Sequence, residues 1–533
     1  MVRTHSLWLA DREVAAEINL SLGDGLARAA SEYGERDAVV YAHTPGVEET
    51  RWTYRELNRL ADRLARAILA SGLLPGERVA IWGPNHPRWL LLEYALAKAG
   101  ITVVALNPLY KQQELRYALN TAAVVAVFHA DMAGGEALGD AIARVTPEVP
   151  TLRAAYSFST GVDALLEHNA AEQPLPWVDP AGPCLIQFTS GTTGVPKAAV
   201  LPHRGIGTNG RNSYLRWGFG AGDRICHGFP MFHVGGSGNS TPGAMYVGAT
   251  TLPLYTFKAE QTLDILERER CTGFIGVPTM LTAMMAHPSF AARDFSALRC
   301  IVIGGAPVAP KLLQECVAAF GVRTCNGYGQ TETSGVSTTT IAEDSDELKN
   351  STCGRALPGV SLKILDAAGD TVPLGVIGEL YYRGPGNMLG YLNQPPADST
   401  ANAGWIASGD LATMDANGYI AIAGRCKEMV IRGGENLYPV EIERYLGEYP
   451  LLAEVAVVGV PDAKYGEEMC AVLRLHEGAT LDEAALRAWC QERVSRWKIP
   501  RYFAVVSAFP LTASGKVQKT VLKEQMATLL GLG

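Results

Sequence analysis

From residue 50 onward the chain alternates short apolar runs with amphipathic ones, and that alternation restricts its fold more than any other feature. Tyr54 to Ala70 places Leu57, Leu60, Ala61, Leu64 and Ile68 on one helical face. Val79 to Trp82 predicts a strand, Arg88 to Ala99 a helix, Ile101 to Leu106 a strand and Ala123 to His129 another. Strands separated by helices of this length pair in parallel, with the helices covering the sheet. A similar series runs from Arg224 to Ile303 and ends in the strand Cys300 to Ile303. After Gly354 the texture changes to short strands divided by Gly and Pro: Val360 to Leu365, Gly378 to Arg383 and Gly418 to Ala423. A third region follows Arg425, with strands Glu454 to Val460, Cys470 to Leu475 and Arg501 to Val506 and a helix over Asp482 to Arg493. The expected fold class is α/β: a large N-terminal domain, residues 1–424, of layered parallel-sheet subdomains plus a β-rich subdomain, then a small α+β C-terminal domain, residues 428–533. At 533 residues the chain is too long for a single core.

Composition removes several classes of function. The chain has 46 basic and 54 acidic side chains, a net charge of −8, and no basic block, which argues against a nucleic-acid partner. Asp11, Glu13 and Glu17 fall where a signal peptide would need its apolar region. No apolar run reaches the roughly 18 residues of a transmembrane segment, so a cytoplasmic location is expected. The ten cysteines, from Cys184 to Cys490, form no Cys-x-x-Cys pair. Neither a disulfide framework nor a structural zinc is indicated, and reduced, mostly buried thiols are expected.

The chemistry is concentrated in Phe188 to Lys197, which reads Phe-Thr-Ser-Gly-Thr-Thr-Gly-Val-Pro-Lys. Gly191 and Gly194 allow a tight turn and close approach of a ligand to backbone. Thr189, Ser190, Thr192 and Thr193 add hydroxyl donors, and Lys197 adds the point charge that phosphate sites use. The apolar stretch Cys184 to Phe188 predicts the strand that feeds this loop. The pattern is not a Walker loop, because Pro196 stands where that motif has Gly before its lysine.

Five further segments accompany it: Gly304-Gly305-Ala306-Pro307, Asn326-Gly327-Tyr328-Gly329-Gln330-Thr331-Glu332, Trp405 to Asp410, Gly424-Arg425-Cys426-Lys427-Glu428, and Leu511 to Lys516. Singly each is ordinary, a turn, a cap or a solvated lysine. In this order and spacing they resemble the adenylate-forming superfamily of acyl-CoA synthetases, peptide-synthetase adenylation domains and beetle luciferases, over about residues 25 to 525.

The resemblance implies ATP, Mg²⁺ and coenzyme A as cofactors, and a role for each matching residue. The loop Thr189 to Lys197 would bind the β- and γ-phosphates of ATP. Glu332 would hold Mg²⁺, a hard cation suited to one carboxylate plus phosphate oxygens, and Thr331 would donate to the α-phosphate. Tyr328, in the Asn326-Gly327-Tyr328 run, and the Gly304-Gly305-Ala306 turn would sandwich adenine. Asp410 would accept from the ribose hydroxyls with Arg425 nearby, and Lys516 would be the catalytic lysine. The family first makes an acyl-adenylate and then passes the acyl group to a thiol, its small domain rotating in between. The matching hinge is 425–427, pivoting at Lys427, and the matching thiol channel is Gly433 and Gly434 in Arg432 to Asn436.

His233, in Met231-Phe232-His233-Val234-Gly235-Gly236, matches the residue that gates the family's acyl pocket. The small residues Ser237, Gly238, Asn239 and Ser240 that follow predict pocket volume, hence a medium- or long-chain, aryl or polycyclic acid. No Asp occurs in Phe229 to Phe232, so an α-amino acid is not expected. The expected activity is that of an ATP-dependent acyl-CoA synthetase with free CoA as acceptor. An acyl carrier protein as acceptor stays open, as does a homodimer. One departure stands out: Ala198 follows Pro196-Lys197 where most members have Gly. If that position needed positive φ or close phosphate approach, adenylation would suffer and the chain would use an acyl-adenylate from an upstream adenylating enzyme. A catalytically silent acyl-adenylate binder is the remaining alternative, and the joint presence of Lys197, Glu332, Asp410, Arg425 and Lys516 argues against it.

Overall fold

The structure, a computed structural model, describes residues 4–10, 17–44, 47–167, 173–189, 196–394, 404–432, 435–512 and 516–532. It packs as two compact units. The larger comprises Trp8–Leu362 and Tyr382–Ile406; the other comprises Met1–Leu7, Lys363–Tyr381 and Ala407–Gly533.

The larger unit is built on two sheets. In the seven-stranded sheet, Pro183–Thr189, Thr102–Leu106, Arg78–Trp82, Ala126–His129 and Ala154–Ser157 run parallel, while Lys197–Pro202 and Gly390–Tyr391 close one edge antiparallel. The nine-stranded sheet has a parallel centre, from Arg323–Gln330 through Cys300–Gly304, Gly273–Gly276, Arg224–His227 and Thr250–Pro253 to Asp37–Tyr41. Strands such as Thr102–Leu106 are buried along their whole length, as parallel strands covered on both faces must be. The helix Tyr54–Ala70 has the expected limits because Thr53 and Glu56 form a capping box, and it buries Leu57, Ala61, Leu64 and Ile68. The helix Pro87–Lys98 begins one residue before the expected Arg88, with Pro87 in its first turn and the His86 ring accepting from the Arg88 amide. The strand expected from Ala123 starts instead at Ala126, since Ala123 has φ +46° and belongs to the turn after the helix Gln112–Thr121.

In the other unit, Leu452–Asp462 and Gly466–Leu475 form a long antiparallel hairpin, longer at both turn-side ends than the apolar pattern indicates. Tyr502–Val505 adds in parallel, and the helices Pro439–Leu446, Glu483–Gln491 and Lys519–Leu529 cover the sheet. The strand expected over Gly418 to Ala423 is Ile420–Arg425; Gly418 lies in the turn in which the Asp415 carboxylate accepts from the Asn417 and Tyr419 amides. All ten cysteines are free thiols, eight of them buried.

One ion cluster, centred on the buried Glu269 and open to solvent at Arg51, ties the far edge of the nine-stranded sheet together. Glu269 accepts from Arg51 at 2.5 and 2.9 Å, from Arg224 at 2.5 Å, and pairs with His43 at 3.0 Å. Burial opposes its charge, but the hydrogen bonds and charges of Arg51, His43 and Arg224 outweigh burial and hold the carboxyl at about 2. A folded-state value below the unfolded one, about 4.3, means this stabilisation is complete above that pH and is lost as pH falls towards 2. Glu269→Gln is expected to cost about 2 kcal/mol at neutral pH, less than breaking a fully buried pair because Arg51 is open to solvent. The difference in urea midpoint from the native chain is expected to shrink below pH 4.5; a gap that does not change with pH would remove the cluster from this role.

Candidate active site

The phosphate-type loop is anchored as a hairpin. Ser190, Gly191, Thr192, Thr193 and Gly194 lie outside the described residues, but both roots of the loop are placed. Thr189 sits opposite Lys197, and Phe188 opposite Ala198, in the antiparallel pair at the sheet edge. The Tyr117 hydroxyl donates to the Pro196 carbonyl at 2.9 Å. Lys197 is half-buried, with its Nζ 4.8 Å from the centre of the Tyr391 ring. Ala198 settles the question its position raised. It lies within the strand Lys197–Pro202, is absent from the positive-φ residues, and turns a side chain only 2% exposed into the core. Its Cβ therefore costs no backbone strain, and the argument for a damaged adenylation step loses its physical basis.

The Gly304-Gly305-Ala306 turn and the Asn326 to Glu332 run end neighbouring parallel strands, with Gly304 opposite Gly327. A Cβ on Gly304 would stand 2.7 Å from the Gly327 carbonyl oxygen, and Gly305 has φ +78°; both positions need glycine. Asn326 is held by its amide donating to Thr340 Oγ1 at 2.8 Å and its side chain donating to the Thr352 carbonyl at 3.3 Å. Tyr328 is half-buried beside Tyr382, ring centres 6.4 Å apart. Thr331 and Glu332 lie on the 3-10 turn Thr331–Thr333, and Glu332 Oε1 accepts from the Tyr391 hydroxyl at 2.7 Å. Burial, then the charge and hydrogen bond of Glu332, push the Tyr391 phenol well above its ordinary value, so it remains a donor. The fold thus brings Lys197, at one root of the hairpin, and Glu332, from a distant segment, to one residue, Tyr391, that the sequence reading did not single out.

His233 caps the π-helix Val234–Ser240, its Nδ1 accepting from the Gly235 amide at 3.0 Å, and its ring stacks on Phe229 at 6.2 Å and 15°. Asn85, also unremarked in the sequence, fixes the preceding loop: its Nδ2 donates to the Phe229 and Leu254 carbonyls at 3.0 and 2.8 Å, and its Oδ1 accepts from the Met231 amide at 2.6 Å. Gln187, inside the phosphate strand, donates to Ser237 Oγ at 2.9 Å and links that strand to the π-helix. The glycines after His233 are set by packing. A Cβ on Gly236 would run into the Pro230 carbonyl, and one on Gly238 would stand 2.6 Å from Val234 Cγ2. Packing of the chain against itself accounts for glycine at both positions, so their small size is not a sign of pocket volume.

The other unit carries the remaining residues. Asp410, 5% exposed, pairs across the ladder with Arg425, whose Nε lies 3.0 Å from Asp410 Oδ1. Lys427 is exposed on the turn in which the Glu428 and Met429 amides donate to the Arg425 carbonyl. Lys516 is exposed, its amide donating to Thr512 Oγ1 at 3.0 Å and its carbonyl accepting from the Thr512 amide at 2.7 Å. Three residues on, Lys519 bridges Glu428 at 3.0 Å and Glu443 at 2.7 Å. Gly433 and Gly434 lie outside the described residues. Arg432, just before them, is held by the buried Glu468 at 2.8 Å, by the Trp497 carbonyl at 2.8 Å and over the Trp497 ring at 4.3 Å.

Within the larger unit, Lys197 and Glu332 thus meet at Tyr391, and the Gly304 to Ala306 turn adjoins the strand that carries Tyr328. The chain belongs to the AMP-binding enzyme family: the family model matches residues 26–392, and that of the AMP-binding enzyme C-terminal domain matches residues 441–516. It is 35% identical to the putative acyl-CoA synthetase YngI of Bacillus subtilis, over 97% of this chain and 99% of that protein. It is 34% identical to the mitochondrial medium-chain acyl-CoA ligase ACSF2 of Mus musculus, over 97% of this chain and 89% of that protein. Among solved structures, ATP-bound MatB from Rhodopseudomonas palustris superposes with a TM-score of 0.87 at 28% identity, covering 95% of this chain and 99% of that one.

Two outcomes check the corrected geometry. Ala198→Gly is expected to leave ATP-dependent pyrophosphate release unchanged and to lower stability by about 0.5–1 kcal/mol, the ordinary cost of glycine inside a regular element; faster release would restore the damaged-loop reading. Gly236→Leu is expected to lower the melting temperature and to reduce activity with short and long acids alike. A selective shift towards short acids, measured over a chain-length series, would return the glycine to the pocket floor.

Proposed function

We propose that this chain, an ATP-dependent, AMP-forming acyl-CoA ligase, joins a medium-chain carboxylic acid to free coenzyme A in two half-reactions. The observation that carries the reading is the gathering of Lys197 and Glu332 beside the Thr189 hairpin root, which supplies both a cation and a carboxylate for a polyphosphate. In the first half-reaction a carboxylate oxygen of the acid attacks the α-phosphorus of ATP, and the bond to the bridging oxygen breaks to release pyrophosphate. Lys516 offsets the negative charge that develops between carboxylate and α-phosphate, while Thr331 donates to that phosphate and the Thr189 to Lys197 loop retains the other two. Tyr328 and Gly304 to Ala306 hold adenine, and Asp410, fixed by Arg425, accepts from the ribose.

The residues fit a magnesium ion. Among the described residues no group of three His, Cys, Asp or Glu side chains gathers as a metal cage, and a single carboxylate shared with phosphate oxygens is the ordinary protein environment of Mg²⁺. Glu332 would hold it, and when bound it supplies charge neutralisation on the phosphates.

In the second half-reaction the CoA sulfur attacks the acyl carbonyl and AMP leaves. The proposed division is an N-terminal domain of residues 1–424, a hinge at 425–427 pivoting at Lys427, and a C-terminal domain of residues 428–533. Gly433 and Gly434 are proposed to let the pantetheine arm pass close to backbone, and His233 with Phe229 to wall the acyl site. A medium-chain acid is supported by the similarity to the medium-chain ligase and by this aromatic wall, with no acidic residue in Phe229 to Phe232 to pair an amino group. No described helix is long and apolar enough to cross a membrane.

Lys516→Ala is expected to reduce pyrophosphate exchange by about 10²-fold or more while leaving thioester formation from synthetic acyl-adenylate and CoA nearly intact. Equal loss of both would overturn the assignment of Lys516 to the first half-reaction. A panel of straight-chain, aryl and polycyclic acids, assayed for CoA thioesters by mass spectrometry, is expected to favour medium chains; turnover confined to aryl acids would replace that part of the reading.

A further inference from the structure

The segment Met388 to Asn393 lies across both halves of the phosphate site like a strap. The Met388 amide donates to the Glu332 carbonyl at 2.8 Å, the Leu389 amide to the Val200 carbonyl at 2.8 Å, and the Leu392 amide to the Ala198 carbonyl at 2.8 Å. Tyr391 is paired with Ala199 in the strand ladder, so its backbone is fixed to the strand that begins at Lys197. From there its side chain makes two contacts of different kinds. The hydroxyl donates to Glu332 Oε1 at 2.7 Å, and the ring face lies 4.8 Å from Lys197 Nζ.

We propose that Tyr391 is a positioning residue for adenylation, its hydroxyl setting the orientation of the Glu332 carboxylate and its ring seating the Lys197 ammonium. This rests on the assignment of Glu332 to magnesium and of Lys197 to phosphate. The terminal torsion of a glutamate is broad and poorly defined by itself. A donor fixed on Oε1 selects one orientation and leaves Oε2 for the cation. The ammonium, a flexible point charge on a long stem, gains a defined place over an electron-rich face. One side chain thereby sets the spacing between the two charges that must meet the same polyphosphate.

The two contacts can be removed separately. Tyr391→Phe keeps the ring and loses the hydroxyl; Tyr391→Leu loses both. ATP binding is measured by calorimetry on the full-length protein without acid substrate, once in EDTA and once across a magnesium titration, so the readout is independent of turnover. Tyr391→Phe is expected to bind ATP in EDTA as the native chain does but to need about tenfold more magnesium for half-saturation, the range for a lost hydrogen bond to a charged group. Tyr391→Leu is expected to lose affinity in EDTA as well. In a Glu332→Gln background, Tyr391→Phe is expected to add nothing to the magnesium requirement. Thioester formation from preformed acyl-adenylate is expected to stay at the native rate in Tyr391→Phe. If Glu332→Gln raises the magnesium requirement and Tyr391→Phe does not, the positioning role is wrong and the Glu332 assignment stands. If Glu332→Gln itself leaves the requirement unchanged, both fall. Equal loss for Tyr391→Phe in EDTA and in magnesium would also overturn the proposal, since that pattern marks a merely structural residue. Should Tyr391→Leu fail to fold, the Phe variant and the Glu332→Gln background decide the matter alone.

Discussion

The site depends on one change of strand direction. Pro183–Thr189 is parallel to its neighbour Thr102–Leu106 and antiparallel to Lys197–Pro202. A parallel strand would have to leave the sheet through a long crossover; the reversal keeps Thr189 and Lys197 opposite one another at the end of a buried ladder. Backbone hydrogen bonds on both sides of Pro183–Thr189 give the loop roots a rigid base, and the edge that the reversal creates is covered by Gly390–Tyr391. That cover, which an exposed strand edge needs in any case, brings Tyr391 over the site.

A similar economy holds around His233. Asn85 satisfies three backbone groups in the loop from Phe229 to Met231 and at Leu254, so this non-regular segment is fixed without secondary structure. His233 then begins the π-helix with its own ring as cap. Gln187 carries a hydrogen bond from the strand Pro183–Thr189 to Ser237 on that helix, so the two elements are joined through buried polar side chains.

The alternation that predicts parallel sheets was legible because burial on one helical face or along a whole strand leaves a local periodicity. Tyr54–Ala70 even has its expected ends, since its cap is also local. The candidate nucleotide residues stand out as runs whose chemistry is written in consecutive positions, and the structure adds the pairing of Gly304 with Gly327 and of Thr189 with Lys197. Tyr391, Asn85 and Gln187 do not stand out, because each works through a partner remote in the chain and sits in a stretch with no distinctive composition. Ala198 and the glycines after His233 mislead for a related reason: a small side chain reads the same whether it borders a ligand, a strand interior or another turn of backbone.

The close packing of Gly235, Gly236 and Gly238 bears on how such an enzyme changes its diet. Gly236 and Gly238 are hemmed in by Pro230 and Val234, and Gly235 by the Phe229 ring at 2.8 Å. A mutation that adds a side chain at any of them is filtered out as misfolding before selection can act on the acid it accepts. Other glycines of the same region meet side chains instead of backbone: Phe229 and Val277 stand 3.2 and 3.5 Å from a Cβ placed on Gly305, and Met280 abuts Gly228. Around this segment, change comes at lower cost through side chains that can be exchanged than through glycines whose place is taken by backbone.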